Sequence, residues 1–201
     1  MDFASQNLTL GQTNALVKII GGEQVVREIL RDEVELVIVR KKIPTEIEVW
    51  KTLTLSSSFE STDDLRDVLR TGRRNTDAWT RYMLNKVDFT CDMQVDLVRV
   101  SVGELGFKDS AEFEQICAKA KKRGLELCPA RVGPELRLQY EDQPENESLG
   151  VAMEPISDAE GLSAIFVLSH TDGTLWLGNN EAHPKTRYSI AAVFIFSRPR
   201  A

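Results

Sequence analysis

Cys128, His170 and His183 are the residues of this 201-residue chain best suited by type to nucleophilic chemistry. A thiolate needs a base within hydrogen-bond reach and an acid to orient that base, and Asp142, Asp158 or Asp172 could supply the acid. Nothing in the spacing forces these groups together. His170 beside a turn and His183 in a loop also read as solvated surface groups, and Leu127 and Pro129 around Cys128 point to partial burial, which leaves a thiol inert.

Phosphodiester cleavage without a metal is the second chemistry. Arg137 and Gln139 could clamp a phosphate while Glu154 and His170 move a proton. A small metal-independent ribonuclease or toxin-like enzyme built on the C-terminal sheet would use them, an analogy at the level of fold alone. The 25 basic against 31 acidic residues, a formal net charge of −6, oppose a general attraction to nucleic acid or to an anionic membrane. No H-E-x-x-H, EF-hand loop or phosphate loop occurs; Gly21-Gly22 before Glu23 lacks the Lys and Ser/Thr that a phosphate loop requires. No metal or cofactor is expected, and no catalytic residue is assigned.

Binding demands less geometry than catalysis. Arg131, Arg137, Gln139, Asp142 and Gln143 form a dense polar row beside the turn at Gly133-Pro134; Arg137, Gln139, Asp142 and Gln143, with Tyr140 and Trp176 as aromatic bodies with polar tips of the kind enriched at recognition sites, are the candidate binding residues. The row also reads as a solvated strand face. The favoured function is a binding or regulatory module that docks on a partner protein and has no catalysis of its own. Arg137→Ala would then remove binding and leave the fold intact.

The elements that must position these residues follow from periodicity and punctuation. A helix runs from Thr9 through Ile20, Gly21-Gly22 stops it, and a second runs from Glu23 to Arg31. Val34 to Val39 reads as a strand covered on both faces, and Glu46 to Leu55 as an alternating strand whose Trp50 covers a neighbouring element. Helices after Ser61 and after Thr76 form a pair carrying Arg66, Arg70, Arg73, Arg74, Arg81 and Lys86. Asp63, Asp64, Asp67 and Asp77 dilute that charge, so nucleic acid is not the expected partner.

A joint at residues 89–94 divides an N-terminal α+β region with helical hairpins, residues 1–90, from a C-terminal domain, residues 91–201; one continuous globule is the alternative. The C-terminal half opens with a strand from Val95 to Val102 and a helix begun by Asp109 and ended by Gly124. Leu125 to Leu127 and Glu135 to Tyr140 then read as strands, the second with Leu136, Leu138 and Tyr140 inward and Arg137 and Gln139 outward. Leu149 to Ile156, a hairpin turning at Asp172-Gly173, and Tyr188 to Phe196 complete a helix packed on a mostly antiparallel sheet.

Leu127-Cys128-Pro129, Val132-Gly133-Pro134 and Leu136 through Tyr140, followed by Met153-Glu154-Pro155-Ile156, closely resemble the recurring words of a family of bacterial hypothetical proteins. The resemblance covers the C-terminal half and extends more weakly over the N-terminal half. It implies a bacterial family with no assigned activity or ligand, and so supplies no mechanism.

Composition bounds the rest. A hydrophobic fraction of 42% and a charged fraction of 28% are those of an ordinary globular protein. No apolar run approaches the ~20 residues of a membrane span, and the first ten residues lack a secretory signal, so a cytoplasmic location is expected. Cys91, Cys117 and Cys128 form no C-x-x-C pair, and Cys117 reads as a small buried hydrophobe.

Overall fold

The computed structural model describes residues 9–31, 47–56, 62–72, 74–90, 92–183 and 185–200. The strand expected over Val34–Val39, together with Ser61, Arg73 and Cys91, lies outside the described residues. Backbone contacts divide the chain into Met1–Thr45 and Glu46–Ala201, at residue 45 rather than at the joint expected near 90.

In the first unit, α1 (Leu10–Ile20) is followed by α2 (Glu23–Leu30). Gly21 and Gly22 turn the chain at φ 116° and 93°, left-handed conformations that side chains resist.

The second unit is α+β and is organised by one mixed sheet. In chain order it contains β1 (Lys51–Leu55), α3 (Thr62–Thr71), β2 (Arg74–Thr76), α4 (Ala78–Leu84), β3 (Met93–Ser101), β4 (Ala111–Glu112) and α5 (Phe113–Lys121). There follow α6 (Val132–Gln139), β5 (Ser148–Val151), β6 (Ile156–Ser157), β7 (Ser163–Thr171), β8 (Thr174–Glu181), β9 (Arg187–Tyr188) and β10 (Val193–Arg198). The sheet order is β1-β3-β10-β5-β7-β8-β2, with β6 added beside β7 and a separate β4-β9 pair. Pairing is mostly antiparallel; β10 with β5 and β2 with β8 are parallel. The β1–β3 and β2–β8 ladders both cross residue 90, joining the halves that the sequence was expected to separate.

Strand register sorts side chains onto two faces. Phe166, Leu168 and Leu177 share one face, where Gly133 of α6 lies against Phe166. Phe194 and Phe196 lie on the other face, where Phe113 of α5 packs 5.7 Å from Phe194. The β7–β8 hairpin turns at Asp172 and Gly173 with φ 53° and 67°, the paired positive values of the tight turn its sequence predicts.

Three expectations need correction. Residues 135–140 belong to helix α6 and its C-cap, not to a strand. The alternating Leu-Arg-Leu-Gln-Tyr pattern assumes an outward Arg137, yet Arg137 is fully buried, and Pro134 stands in the first turn, where a helix tolerates its missing N–H. Helix α5 is capped by Glu112 through a reciprocal bond with Gln115, three residues beyond Asp109. The second of the paired helices is capped by Asp77, which accepts from the Thr80 amide at 2.7 Å, and strand β2 interrupts the expected helix pair.

Candidate functional site

The polar row folds inward. Arg137 donates to the Gln143 side-chain oxygen and to the Tyr140 carbonyl, while its Nε is buried without a partner. Burial, with the Arg74 guanidinium beside it, pulls the Arg137 pKa down to about 10. Gln143 passes the connection on, donating to the carbonyls of Glu147 and Leu168 at 3.2 Å each. These bonds tie residues 140–147 to α6 and β7.

Tyr140 is likewise buried. Its hydroxyl donates to Glu147 at 2.8 Å, and the second Glu147 oxygen accepts from Arg99 at 2.6 Å. Burial and the Glu147 contact push the Tyr140 phenol up to about 12. Trp50 meets the Tyr140 ring edge-on at 5.1 Å and lies beneath the Arg99 guanidinium, so it covers a neighbouring element. Gln139 is exposed, but its amide donates to the Thr54 carbonyl at 2.9 Å. Arg131 and Glu135 bracket Ser56 in the same way, one donating to its carbonyl at 2.7 Å and the other accepting from its amide at 2.8 Å. Side chains of α6 and its N-cap therefore occupy backbone groups of edge strand β1 and its continuation, covering what an open edge would offer to another chain.

The six binding residues nominated from sequence do not converge. Arg137, Tyr140 and Gln143 come together inside the fold; Gln139 serves β1; Asp142 is exposed on the following loop; Trp176 stands on β8 opposite Ser169. The catalytic candidates are dispersed too. Cys128 is buried, its Sγ lies 3.6 Å from the Ile195 carbonyl, and burial pushes its thiol up. His170 is held through Nδ1 by the Gln143 carbonyl at 2.6 Å and faces Glu145 through Nε2 at 3.0 Å. Arg74, counted in the basic cluster, turns inward to the carbonyls of Arg137 and Leu138, and Arg66 is held by Asp63 and Asn85.

Two surfaces stand apart from this network. The first is a cleft of about 380 Å³ between residues 86–93 and 129–131. Val87, Met93, Pro129 and Ala130 line it with apolar groups, and Lys86, Asp88, Thr90 and Arg131 line it with polar and charged ones. Met93 is 42% exposed. The Thr90 amide and hydroxyl hold the Asp88 carboxyl below the usual carboxylate range. Arg131 stays buried, lying over the Phe89 ring and paired with Glu135.

The second is the face of β5, β7, β8 and β2 turned away from α6. Ser169 pairs with Trp176, Val167 with Gly178 and Thr171 with Thr174, so these side chains share one side of the hairpin. Ser148 joins them beside Ser169, and Asn75 beside Trp176.

No family model, curated protein or solved structure matches the chain.

A volume near 380 Å³ lies in the range of sites that hold a small ligand or one anchoring side chain. Its lining mixes apolar groups with polar and charged ones, a composition that can receive an apolar group and orient it by its polar neighbours. Sequence reasoning missed the cleft because its two walls are almost forty residues apart in the chain, as Lys86–Met93 and Pro129–Arg131. No helix among the described residues is long and apolar enough to cross a membrane, and no cluster of three or more His, Cys, Asp or Glu among them could hold a metal ion.

Proposed function

We propose that this protein is a cytoplasmic binding module, without catalysis of its own, that docks on a partner protein by taking an apolar side chain of the partner into the cleft between residues 86–93 and 129–131. The observation that carries this is the partly apolar cleft itself, with an exposed Met93 on its wall. Methionine is flexible and polarizable, and it adapts to the shape of an incoming side chain. A half-exposed Met beside Val87, Pro129 and Ala130 also gains from being covered, since each exposed apolar area contributes about 25 cal/mol per Å² on burial. Pro129, from the Leu127-Cys128-Pro129 word that carries the family resemblance, forms part of the wall.

Lys86 and Asp88 at the margin would set orientation and encounter rate rather than most of the affinity.

The test is recovery of the partner from a lysate of the host with tagged wild type, Met93→Lys and Leu162→Lys. Leu162 is exposed and lies outside the cleft, so it controls for charge added elsewhere. A partner present at stoichiometric level with wild type and Leu162→Lys but lost with Met93→Lys is the expected result. Equal recovery with Met93→Lys overturns the assignment.

A further inference from the structure

His170, the penultimate residue of β7, presents both ring nitrogens to groups that can only accept. Nδ1 lies 2.6 Å from the Gln143 carbonyl, and Nε2 lies 3.0 Å from a carboxylate oxygen of Glu145. A backbone carbonyl has no proton to give, and an ionised carboxylate has none either. A neutral imidazole carries a single N–H, so it serves one of these partners and turns a lone pair toward the other. Only the imidazolium donates to both.

The two partners differ in how far they can move. Gln143 is 2% exposed and its side chain is fixed by Arg137 and by the Glu147 and Leu168 carbonyls, so its own carbonyl stays in place. The Glu145 side chain is 44% exposed, and its other oxygen accepts from the Gly173 amide at 3.3 Å, in the turn of the β7–β8 hairpin. This carboxylate ties the hairpin tip to residues 141–147. Backbone bonds, from the Asn146 amide to the His170 carbonyl at 2.8 Å and from the His170 amide to the Glu147 carbonyl at 3.1 Å, hold the loop in either state of the ring.

We propose that His170 is a proton-operated latch: as the imidazolium it holds the Glu145 side chain, and through it the Gly173 turn, and on losing its Nε2 proton to solvent it lets that side chain swing away. The proton that leaves is the one on Nε2, because Nδ1–H stays with the immobile Gln143 carbonyl. Imidazole is the side chain that ordinarily changes charge between about pH 5 and 8. The latch is therefore closed on the acidic side of that range and open on the basic side.

The other charged groups nearby are engaged elsewhere or face solvent. From α6, Arg137 binds Gln143 and the Tyr140 carbonyl; from the loop, Glu147 accepts from Tyr140 and Arg99, and Glu141 accepts from Arg74. Asp142 and Asp172 are exposed. Strand β8 places the uncharged Leu175 opposite His170, and β5 places Ser148 opposite Ser169. Among the described residues no Lys or Arg pairs with Glu145, so the charge of His170 decides where that carboxylate goes.

The latch shares no residue with the cleft of the proposed function, so either can fail without the other. The experiment is nitrogen–proton NMR of the whole protein from about pH 5 to 8, the ordinary imidazole range, read at the His170 ring nitrogens and at the Gly173 amide. Both ring nitrogens should carry a proton at the acidic end, and Nδ1 alone at the basic end. Protection of the Gly173 amide, corrected for intrinsic exchange, should fall by about two- to fivefold toward basic pH, the size of a half-exposed ion pair. Glu145→Gln should show no such fall, because its NH2 donates to the bare Nε2 while its oxygen still accepts from Gly173. The assignment is overturned if the ring keeps both protons throughout, if Nε2 rather than Nδ1 keeps the last one, if Gly173 protection in wild type does not change, or if Glu145→Gln loses protection as wild type does.

Discussion

Arg131 donates from Nε to Glu135 at 2.8 Å, and the two side chains are only 5% and 2% exposed. A buried pair of this kind adds little over a well-packed apolar pair, but breaking it leaves an uncompensated charge. Glu135→Ala should therefore cost about 3–5 kcal/mol. The double change Arg131→Met with Glu135→Leu should cost less than the single one. Urea unfolding of wild type and the two variants checks this, and a double change as costly as Glu135→Ala or more so would contradict it.

Arg137 was expected from the sequence to be a surface contact whose removal spares the fold. Its complete burial and its bonds to Gln143 and the Tyr140 carbonyl give the opposite expectation. Arg137→Ala empties a large volume and strands two acceptors, at a cost of about 3–5 kcal/mol. The thermal midpoint should fall by roughly 6–20 °C, at about 2–4 °C per kcal/mol for a chain of this size. Arg137→Lys should recover little, since a single ammonium cannot reproduce the planar fork.

Burial pushes the phenols of Tyr140 and Tyr188 up to about 12 from the ordinary 10.0. Between those values the folded protein holds more protons than the unfolded chain. The stability these groups contribute is complete below pH 10 and is lost as pH rises through 12. Arg137, pulled down to about 10, works in the opposite sense, its cost easing as pH rises through the same window. Denaturant midpoints measured from pH 9 upward should fall for wild type, and Tyr140→Phe should flatten the fall. A steeper decline in Tyr140→Phe would contradict the assignment.

Gly133 is held against Phe166, where an added Cβ would lie 2.7 Å from the Phe166 Cβ and 2.8 Å from its ring. Gly133→Ala must push α6 off the sheet or displace a fully buried phenylalanine, at about 1–3 kcal/mol. Gly124→Ala has open space around it but a φ of 77°, so its cost is conformational strain of about 1 kcal/mol. Circular dichroism melts of the two variants should rank Gly133→Ala as the more damaging.

Much of the fold could be read directly from the residues. The hairpin at Asp172-Gly173, the helix stops at Gly21-Gly22 and Gly124, and the valine-rich strand β3 follow from local rules, because a positive φ or a β-branched run constrains the backbone wherever it occurs. The α+β class followed from the succession of those elements.

What tertiary structure alone decided is where the polar side chains point. Leu136 through Tyr140 carries the alternation of a strand, yet Gly133 and Pro134 start a helix there and Phe166 receives it, so Arg137 turns into the protein instead of away from it. A two-residue period and a helical one coincide over so short a word, and packing against the sheet chooses between them. The cleft, the inward turn of Arg74 and the meeting of Trp50 with Tyr140 likewise depend on contacts between segments distant in the chain. No local spacing encodes such contacts, because each is fixed by the way strands β1, β2 and β3 add to the sheet across residue 90.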